Sequence, residues 1–394
     1  MQRAKLAIIS THPIQYYAPV FRTLAAYHAL DVRVFFTWSQ AAGSTLFDHG
    51  FGAEVKWDIP LVDGYAHQFV RNVADRPGSH HFHGIRNPTL LDEIEAWGPD
   101  AILVYGWNCH SHLQALRHFK GRVPVLFRGD STLLDERSWW RGLLRRGFLR
   151  WLYRHVDVAV AVGSNNRDYF TWCGIPLQRI ALAPHSIDTV RFAAEAVTQE
   201  HRAHEWRQQL GIHAEAIVFL FAGKLQPKKD PGLLLEAFKT LKSRAHLIFV
   251  GNGETEGELK AQASRSENVH FLPFQNQSLM PVVYRLGNVF VLPSRGPGET
   301  WGLALNEAMA TGRAIIASSK VGGARDLIQP GINGWIFKSG DRRALEGALG
   351  QAADCGLGGL AAMGNAARAL SERWSTEKSA RAIHDAVLTC WPLR

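Results

Sequence analysis

The sequence predicts an α/β protein built from two doubly wound parallel-sheet, Rossmann-like domains. Three observations carry this. A length of 394 residues exceeds what one hydrophobic core usually organises. Strand-like and helix-like segments alternate from end to end. The strand-like segments are continuous apolar runs, as in parallel strands buried on both faces by helices.

In the first half, "KLAIIS" is followed by the helical "YYAPVFRTLAAYHAL" and then by "DVRVFFT". "DAILVYG", a helix from about His110, "VPVLFRG", a long helical region and "VDVAVAVG" continue the scheme. The second half repeats it. "AIVFLFAG" is a strand, "PGLLLEAFKTLK" a helix and "HLIFVG" a strand, with "NVHFLP", "NVFVLPS" and "RAIIAS" following. The stretch "RFAAEAVTQEHRAHEWRQQLG" is polar and fits no buried strand, so the inter-domain connection is placed there. The expected boundaries are 1–190, a connection at 191–212, a second domain at 213–370 and a C-terminal helix at 371–394. Ligands of doubly wound sheets bind beyond the carboxyl ends of the strands. The residues just after each strand are therefore the ones to read for chemistry, with the two domains facing each other across a cleft.

The formal net charge is +9, with 46% hydrophobic and 20% charged residues. That balance fits a folded chain and argues against disorder. A basic surplus suits nucleic acid, anionic lipid or phosphorylated small molecules. The cations are spread along the whole chain and no nucleic-acid module is present, so no nucleic-acid partner is expected. No apolar run approaches the roughly 20 residues that span a bilayer. The opening "MQRAKLAIISTHP" reads as a first strand and not as a secretory signal. Cys109, Cys173, Cys355 and Cys390 are far apart without a CxxC pair, which reads as free thiols in a cytoplasmic chain, without a metal site.

Lys224 and Lys229 lie in "KLQPKKD", directly after a strand and before a helix. Such a loop aims two ammonium groups at one anion, and the helix start adds partial positive charge. Solvated surface lysines are the competing reading. Gly251 and Gly253, in "GNGE", permit a close backbone approach, or form an ordinary turn. After "NVFVLPS" comes "RGPGETWGLALNEAM", whose helix is expected to begin near Gly302. Amides at that start suit a phosphate. Glu299 precedes the helix and Glu307 lies about one and a half turns inside it. Carboxylates repel phosphate but accept hydrogen bonds from paired hydroxyls, so the arrangement suggests a ligand with sugar, phosphates and a second sugar. A helix-terminal Glu plus a salt-bridged Glu is the plainer account.

Glu299 and Glu307 have the spacing of the E-x7-E signature of retaining glycosyltransferases of GT-B fold, of the family 4 type (glycosyl transferases group 1). "GLALNEAMATGRAIIAS" and "GGARDLIQPGINGWIFKSGD" resemble the family's flanking segments. "FAGKLQPKKD" is similar to its "GR-x3-KG" phosphate loop, with Lys224 at the arginine position. "HSIDTVRF" is similar to its "NGVD-x2-RF". The resemblance is specific over about residues 180 to 345. It implies that Lys224 and Lys229 hold the diphosphate of a nucleotide-sugar donor, helped by amides around Thr300, Gly302 and Leu303. It implies that Glu307 takes the ribose hydroxyls and Glu299 those of the transferred sugar, while Gly251 and Gly253 let backbone approach the donor. Lys224, Lys229 and Glu299 are then the catalytic set. The reaction implied is hexosyl transfer to a hydroxyl with retention, with no metal, no enzymic nucleophile and no cofactor beyond the donor substrate. The resemblance also implies that the leaving phosphate helps deprotonate the acceptor.

The first half departs from the family. "STHPIQYYAP" stands where many relatives carry a glycine pair, placing His12 at the expected cleft, with a helix-capping loop as the alternative. "VYGWNCHSH" brings His110 near the place of a sugar-contacting histidine. "FRGDST" brings Arg128 and Asp130 there, for acceptor binding or as a buried ion pair. "SHHFHG" has histidines but no fixed ligand spacing, and no metal is assigned to it. "RSWWRGLLRRGFLRWLYRH", residues 137 to 155, reads as a mostly packed helix with arginines reaching out. Peripheral association with an anionic leaflet, at the inner face of the membrane, stays open as its second reading. In that family the last helix often crosses back to the first domain; packing on its own domain is the other reading.

The function expected is a nucleotide-sugar-dependent hexosyltransferase acting on a carbohydrate or lipid-linked acceptor, in cell-surface polysaccharide or glycolipid synthesis. A nucleotide-sugar epimerase of the same fold and a catalytically inactive nucleotide-sugar-binding partner subunit are the alternatives. The E-x7-E pattern argues against the first, and the intact donor-side motifs against the second.

Overall fold

The structure, a computed structural model, describes residues 3–41, 46–48, 53–135, 139–241 and 244–391. The chain folds as two units. The first comprises Met1–Leu46, Pro60–His185 and Thr376–Arg394; the second comprises Phe47–Ile59 and Ser186–Ser375.

The first unit begins with β1 (Ala4–Ser10), α1 (Ala18–Ala26) and β2 (Leu30–Phe36). Next in the chain are two short strands, β3 (Leu46–Asp48) and β4 (Ala53–Val55), which form a separate two-stranded sheet; from Phe47 to Ile59 this segment belongs to the second unit. Then come β5 (Ala66–Phe69), α2 (Leu90–Trp97), β6 (Ala101–Tyr105), α3 (His110–Phe119), β7 (Val125–Arg128), α4 (Trp139–Tyr153), β8 (Val158–Ala161), α5 (Ser164–Trp172) and β9 (Ile180–Leu182). Seven strands make one parallel sheet in the order β5-β2-β1-β6-β7-β8-β9. Consecutive side chains of β1 go to opposite faces. Leu6 and Ile8 join one buried cluster, while Ala7 and Ile9 join another with residues of α2, α3 and α5. Both faces are covered, which is why the strand reads as an unbroken apolar run.

The second unit has α6 (Thr189–Ala193), α7 (Ala196–Gln209), β10 (Val218–Ala222), α8 (Pro231–Lys239), β11 (His246–Val250), α9 (Glu256–Ala263), β12 (Val269–Leu272) and α10 (Met280–Arg285). It continues with β13 (Val289–Leu292), α11 (Leu303–Ala310), β14 (Ala314–Ser318), α12 (Ala324–Leu327), β15 (Gly334–Phe337), α13 (Arg342–Asp354) and α14 (Gly356–Ser371). Its six-stranded parallel sheet has the order β12-β11-β10-β13-β14-β15. Phe219, Phe221, Leu247, Phe249, Val289 and Val291 pack with α8 and α13 on one face.

The division differs in detail from the boundaries at 190, 212 and 370. The polar stretch at 191–212 is largely helical and belongs to the second unit, where Arg207 Nε donates to the Leu286 carbonyl at 2.8 Å. The last helix, α15 (Thr376–Cys390), belongs to the first unit, and Ala380, Ile383 and Val387 are buried with Leu6, Ile8 and Phe21.

Helix α4 is not the mostly packed helix expected. Leu149, Leu152 and Tyr153 are buried, but Trp140, Leu143, Leu144 and Phe148 stand exposed. Its apolar residues cover two sides, and only one side meets the core. Arg137 and Ser138, at the start of the same stretch, lie outside the described residues. Among the described residues, no helix is long and apolar enough to cross a membrane.

Candidate active site

Each sheet winds outward in two directions from a central pair of strands. In the second unit that pair is β10 and β13, so the loops that leave their carboxyl ends diverge and leave room between them. One loop carries Lys224 and Lys229, and the other carries Ser294 to Gly302. They are tied together where Arg295 N donates to the Lys228 carbonyl at 3.0 Å. The short turn Pro227–Lys229 presents the lysine, and the Lys229 ammonium lies 2.5 Å from Oε2 of Glu299. The Ser294 hydroxyl donates to the same oxygen at 3.0 Å. Lys224 is half-buried at the base of the loop.

Helix α11 opens at Gly302, whose φ of 89° is a conformation that favours glycine. A Cβ there would also sit 2.6 Å from Val321 Cγ1. Its N-cap residue, being glycine, supplies no capping side chain. The amides of its first turn and the half-buried Thr300 and Leu303 are grouped there. Glu307, at the fifth position of the helix, is 2% exposed. Its Oε2 accepts from the Tyr284 hydroxyl at 2.5 Å. Neither glutamate faces bulk solvent.

Gly251 and Gly253 follow β11. A Cβ on them would lie 2.1 Å from the Gly223 carbonyl oxygen and 2.3 Å from that of Leu225. What their missing side chains make room for is therefore the lysine-bearing loop itself, which Leu225 N and Thr255 N further tie down through the Asn252 and Leu225 carbonyls.

Three residues of this site carried no role in the sequence reading. Tyr284 sits in a helix without a motif around it. Gly322 and Gly323 follow β14, and their amides donate to the carbonyls of Glu299 and Trp301 at 3.0 and 2.8 Å. A Cβ on Gly322 would lie 1.7 Å from the Thr300 carbonyl oxygen. The pair opens the family-like "GGARDLIQPGINGWIFKSGD" segment shortly after β14, and that was the signal available.

The first unit has its own central pair, β1 and β6, with a cavity of about 250 Å3 at their carboxyl ends. His12, Tyr17, Gly106, Arg128, Asp130 and His185 are among the residues that line it. His12 Nδ1 lies 2.9 Å from the Thr11 hydroxyl, its ring meets Trp38 edge-on, and burial lowers its pKa to about 4. His185, from the "HSID" motif, stacks against Tyr17. Burial first, and the nearby Arg128 second, lower its pKa to about 3. Both imidazoles are neutral at physiological pH. Arg128 donates to the carbonyls of Ala183 and Pro184 at 2.9 and 3.3 Å, which anchors the guanidinium in the wall. His110 packs against Phe82 and His83, and the cavity wall nearby is Gly106 and Asn108. His112 is fully buried between Thr37 and the Tyr105 carbonyl, as a core histidine. Among the described residues, no group of three or more His, Cys, Asp or Glu side chains is placed to hold a metal ion.

Two doubly wound parallel sheets, with paired glutamates and a lysine loop at the switch point of the second, define a protein of the GT-B class. The family described as Glycosyltransferase Family 4 matches residues 20–191, and the one described as Glycosyl transferases group 1 matches residues 203–370. The chain belongs to the GT-B glycosyltransferases of the family 4 type. It is similar to the D-inositol 3-phosphate glycosyltransferase of Streptomyces griseus, 31% identical over 237 residues, which is 55% of this chain and 48% of that protein. The chain thus spans about half the length of that curated relative. Among solved structures, Anabaena Alr3699/HepE in complex with UDP superposes with a TM-score of 0.72 at 17% identity, over 98% of this chain and 100% of that one. Sucrose-phosphate synthase from Thermosynechococcus elongatus superposes with a TM-score of 0.72 at 18% identity, over the whole of both chains. At such identities these likenesses concern the fold.

Proposed function

We propose that this protein is a retaining, metal-independent hexosyltransferase that takes a nucleotide-diphosphate sugar as donor and a hydroxyl on a carbohydrate or lipid-linked molecule as acceptor. The observation that carries the reading is the meeting of Lys229 and Glu299 at the switch point of the second sheet, beside the glycine-initiated start of α11. The UDP held by the Anabaena protein of like fold supports a nucleoside diphosphate as the leaving group.

In this reading Lys224, Lys229 and the first amides of α11 receive the diphosphate, where its charge develops as the glycosidic bond breaks. Lys229 gives up its contact with Glu299 to do so, and the released carboxylate turns to the hydroxyls of the transferred sugar. Glu307, held by Tyr284, accepts from the ribose hydroxyls. Two ammonium groups and a helix start supply the positive charge that a divalent ion supplies elsewhere. The acceptor belongs to the first unit, where the neutral His12, with Arg128 and Asp130, lines the cavity. His110 flanks it, and Gly251 and Gly253 set the position of the lysine loop.

The test is a panel of nucleotide sugars incubated with the protein and membrane extract in the presence of EDTA, with nucleotide release and product anomer both read. Release with retained configuration is expected. Release only when a divalent ion is added, or an inverted product, overturns the proposal. Binding without release favours an inactive subunit.

A further inference from the structure

The exposed side of α4 is out of keeping with a helix that faces only water. Trp140, Leu143, Leu144 and Phe148 are 48%, 58%, 69% and 44% exposed. Trp140, Leu144 and Phe148 follow each other at four-residue steps, so they form one stripe along the helix, with Leu143 beside it. Scattered exposed apolar residues are ordinary, but four adjoining ones on a single helix mark an interaction surface.

The charge around the stripe is of one sign. Residues 139–155 contain Arg141, Arg145, Arg146, Arg150 and Arg154 and no acidic residue. Arg141 lies over the Trp140 ring at 5.1 Å, and Arg117 and Arg154 lie over Trp151 at 5.9 and 5.5 Å. The stripe also continues toward the first unit's cavity. Phe148 meets Trp151 and Trp107, with ring centroids 5.7 and 5.6 Å away. Trp107 is flanked in the chain by Gly106 and Asn108, which both line the cavity.

We propose that α4 docks the protein on an anionic lipid bilayer. The helix lies in the plane of the interface, with Leu143, Leu144 and the Trp140 and Phe148 rings at the acyl boundary. Trp suits this level because its ring is amphipathic. Arg145 and Arg146 are held against α5, over the rings of Tyr169 and Trp172, while the exposed Arg141, Arg150 and Arg154 lay their stems along the apolar surface and reach lipid phosphates with their guanidinium groups. Nucleic acid would satisfy the arginines but leave the two leucines without an apolar partner. A second copy of this chain would bring like charges together. The docking extends the acceptor reading, since it sets the cavity beside Trp107 near the lipid surface, but it is measured without any glycosyl transfer.

The experiment is co-sedimentation of the full chain with phosphatidylcholine vesicles, with and without phosphatidylglycerol. The wild-type protein is expected to partition onto the anionic vesicles, less so as salt rises. The double variant Leu143→Ser/Leu144→Ser, which touches only exposed side chains, is expected to lose about tenfold in partition. It should keep its thermal unfolding transition and its nucleotide release with a water-soluble acceptor. Equal partition of variant and wild type overturns the proposal, as does absence of binding to anionic vesicles. Wild-type self-association in light scattering that the variant abolishes, or preferential binding to RNA, also overturns it by assigning the surface to another partner.

Discussion

The Tyr284 hydroxyl donates to Oε2 of Glu307 at 2.5 Å, inside a wall where neither side chain meets bulk water. The bond fixes the carboxylate's orientation before any ligand arrives. Tyr284→Phe removes the donor and leaves the ring. It is expected to cost about 1–3 kcal/mol of stability. It is also expected to weaken nucleoside diphosphate binding about tenfold, since a charge-assisted contact loses its aim. Urea denaturation and calorimetric titration with UDP read the two effects. A stability loss with unchanged affinity would make Tyr284 a packing residue only.

Lys229→Ala strips the ammonium from the diphosphate position and leaves Glu299 with only its remaining partners, among them Ser294. Single-turnover rates are expected to fall by about 10²–10³, the usual effect of removing one charge-stabilising donor. Rates at the wild-type level would exclude Lys229 from leaving-group stabilisation.

Gly322→Ala tests whether the geometry of the 299–301 loop matters to turnover. The added methyl would sit 1.7 Å from the Thr300 carbonyl oxygen, so backbone must move. Turnover is expected to drop more than thermal stability, because the displaced segment carries Glu299 and leads into Gly302. Wild-type kcat in a correctly folded variant would contradict this.

Stability should depend on pH through His12 and His185. Their folded pKa values, about 4 and about 3, lie below the ordinary 6.5 because burial disfavours the imidazolium. Between those values and 6.5 the unfolded chain binds more protons than the folded one, so stability falls as pH drops. The contribution is complete above pH 6.5 and lost progressively as the pH falls through the folded values. His185→Gln is expected to shallow the slope of unfolding free energy against pH by about one proton. An unchanged slope in denaturant titrations would show that His185 is not held neutral.

Much of the fold is legible because parallel strands covered on both faces leave long apolar runs, such as "AIVFLFAG", that no surface element imitates. The paired glutamates are legible because two carboxylates in a small, apolar stretch have no packing reason to be there. Tyr284 is not, since a tyrosine in a short apolar helix looks like core until Glu307 is found opposite it. Gly251 and Gly253 point to close approach, but only the fold reveals the approaching group as the backbone of Gly223 and Leu225. Helix α4 misleads for a different reason. Its apolar residues fall on two sides, and helical spacing alone does not say which side meets the core. The polar stretch after residue 191 looks like a connection, whereas its helix is held to the second unit by arginine bonds, such as that of Arg207 to the Leu286 carbonyl, that leave no apolar pattern.

The most direct measurement is calorimetric titration of wild type and Glu307→Gln with UDP in EDTA. The substitution keeps size and one acceptor oxygen, and removes the charge that would grip ribose hydroxyls. Metal-free binding by the wild type, with affinity reduced at least about tenfold in the variant, is the expected result. Equal affinity in the two proteins, or binding that appears only when a divalent ion is restored, would contradict a donor site built from Glu307, Glu299 and Lys229.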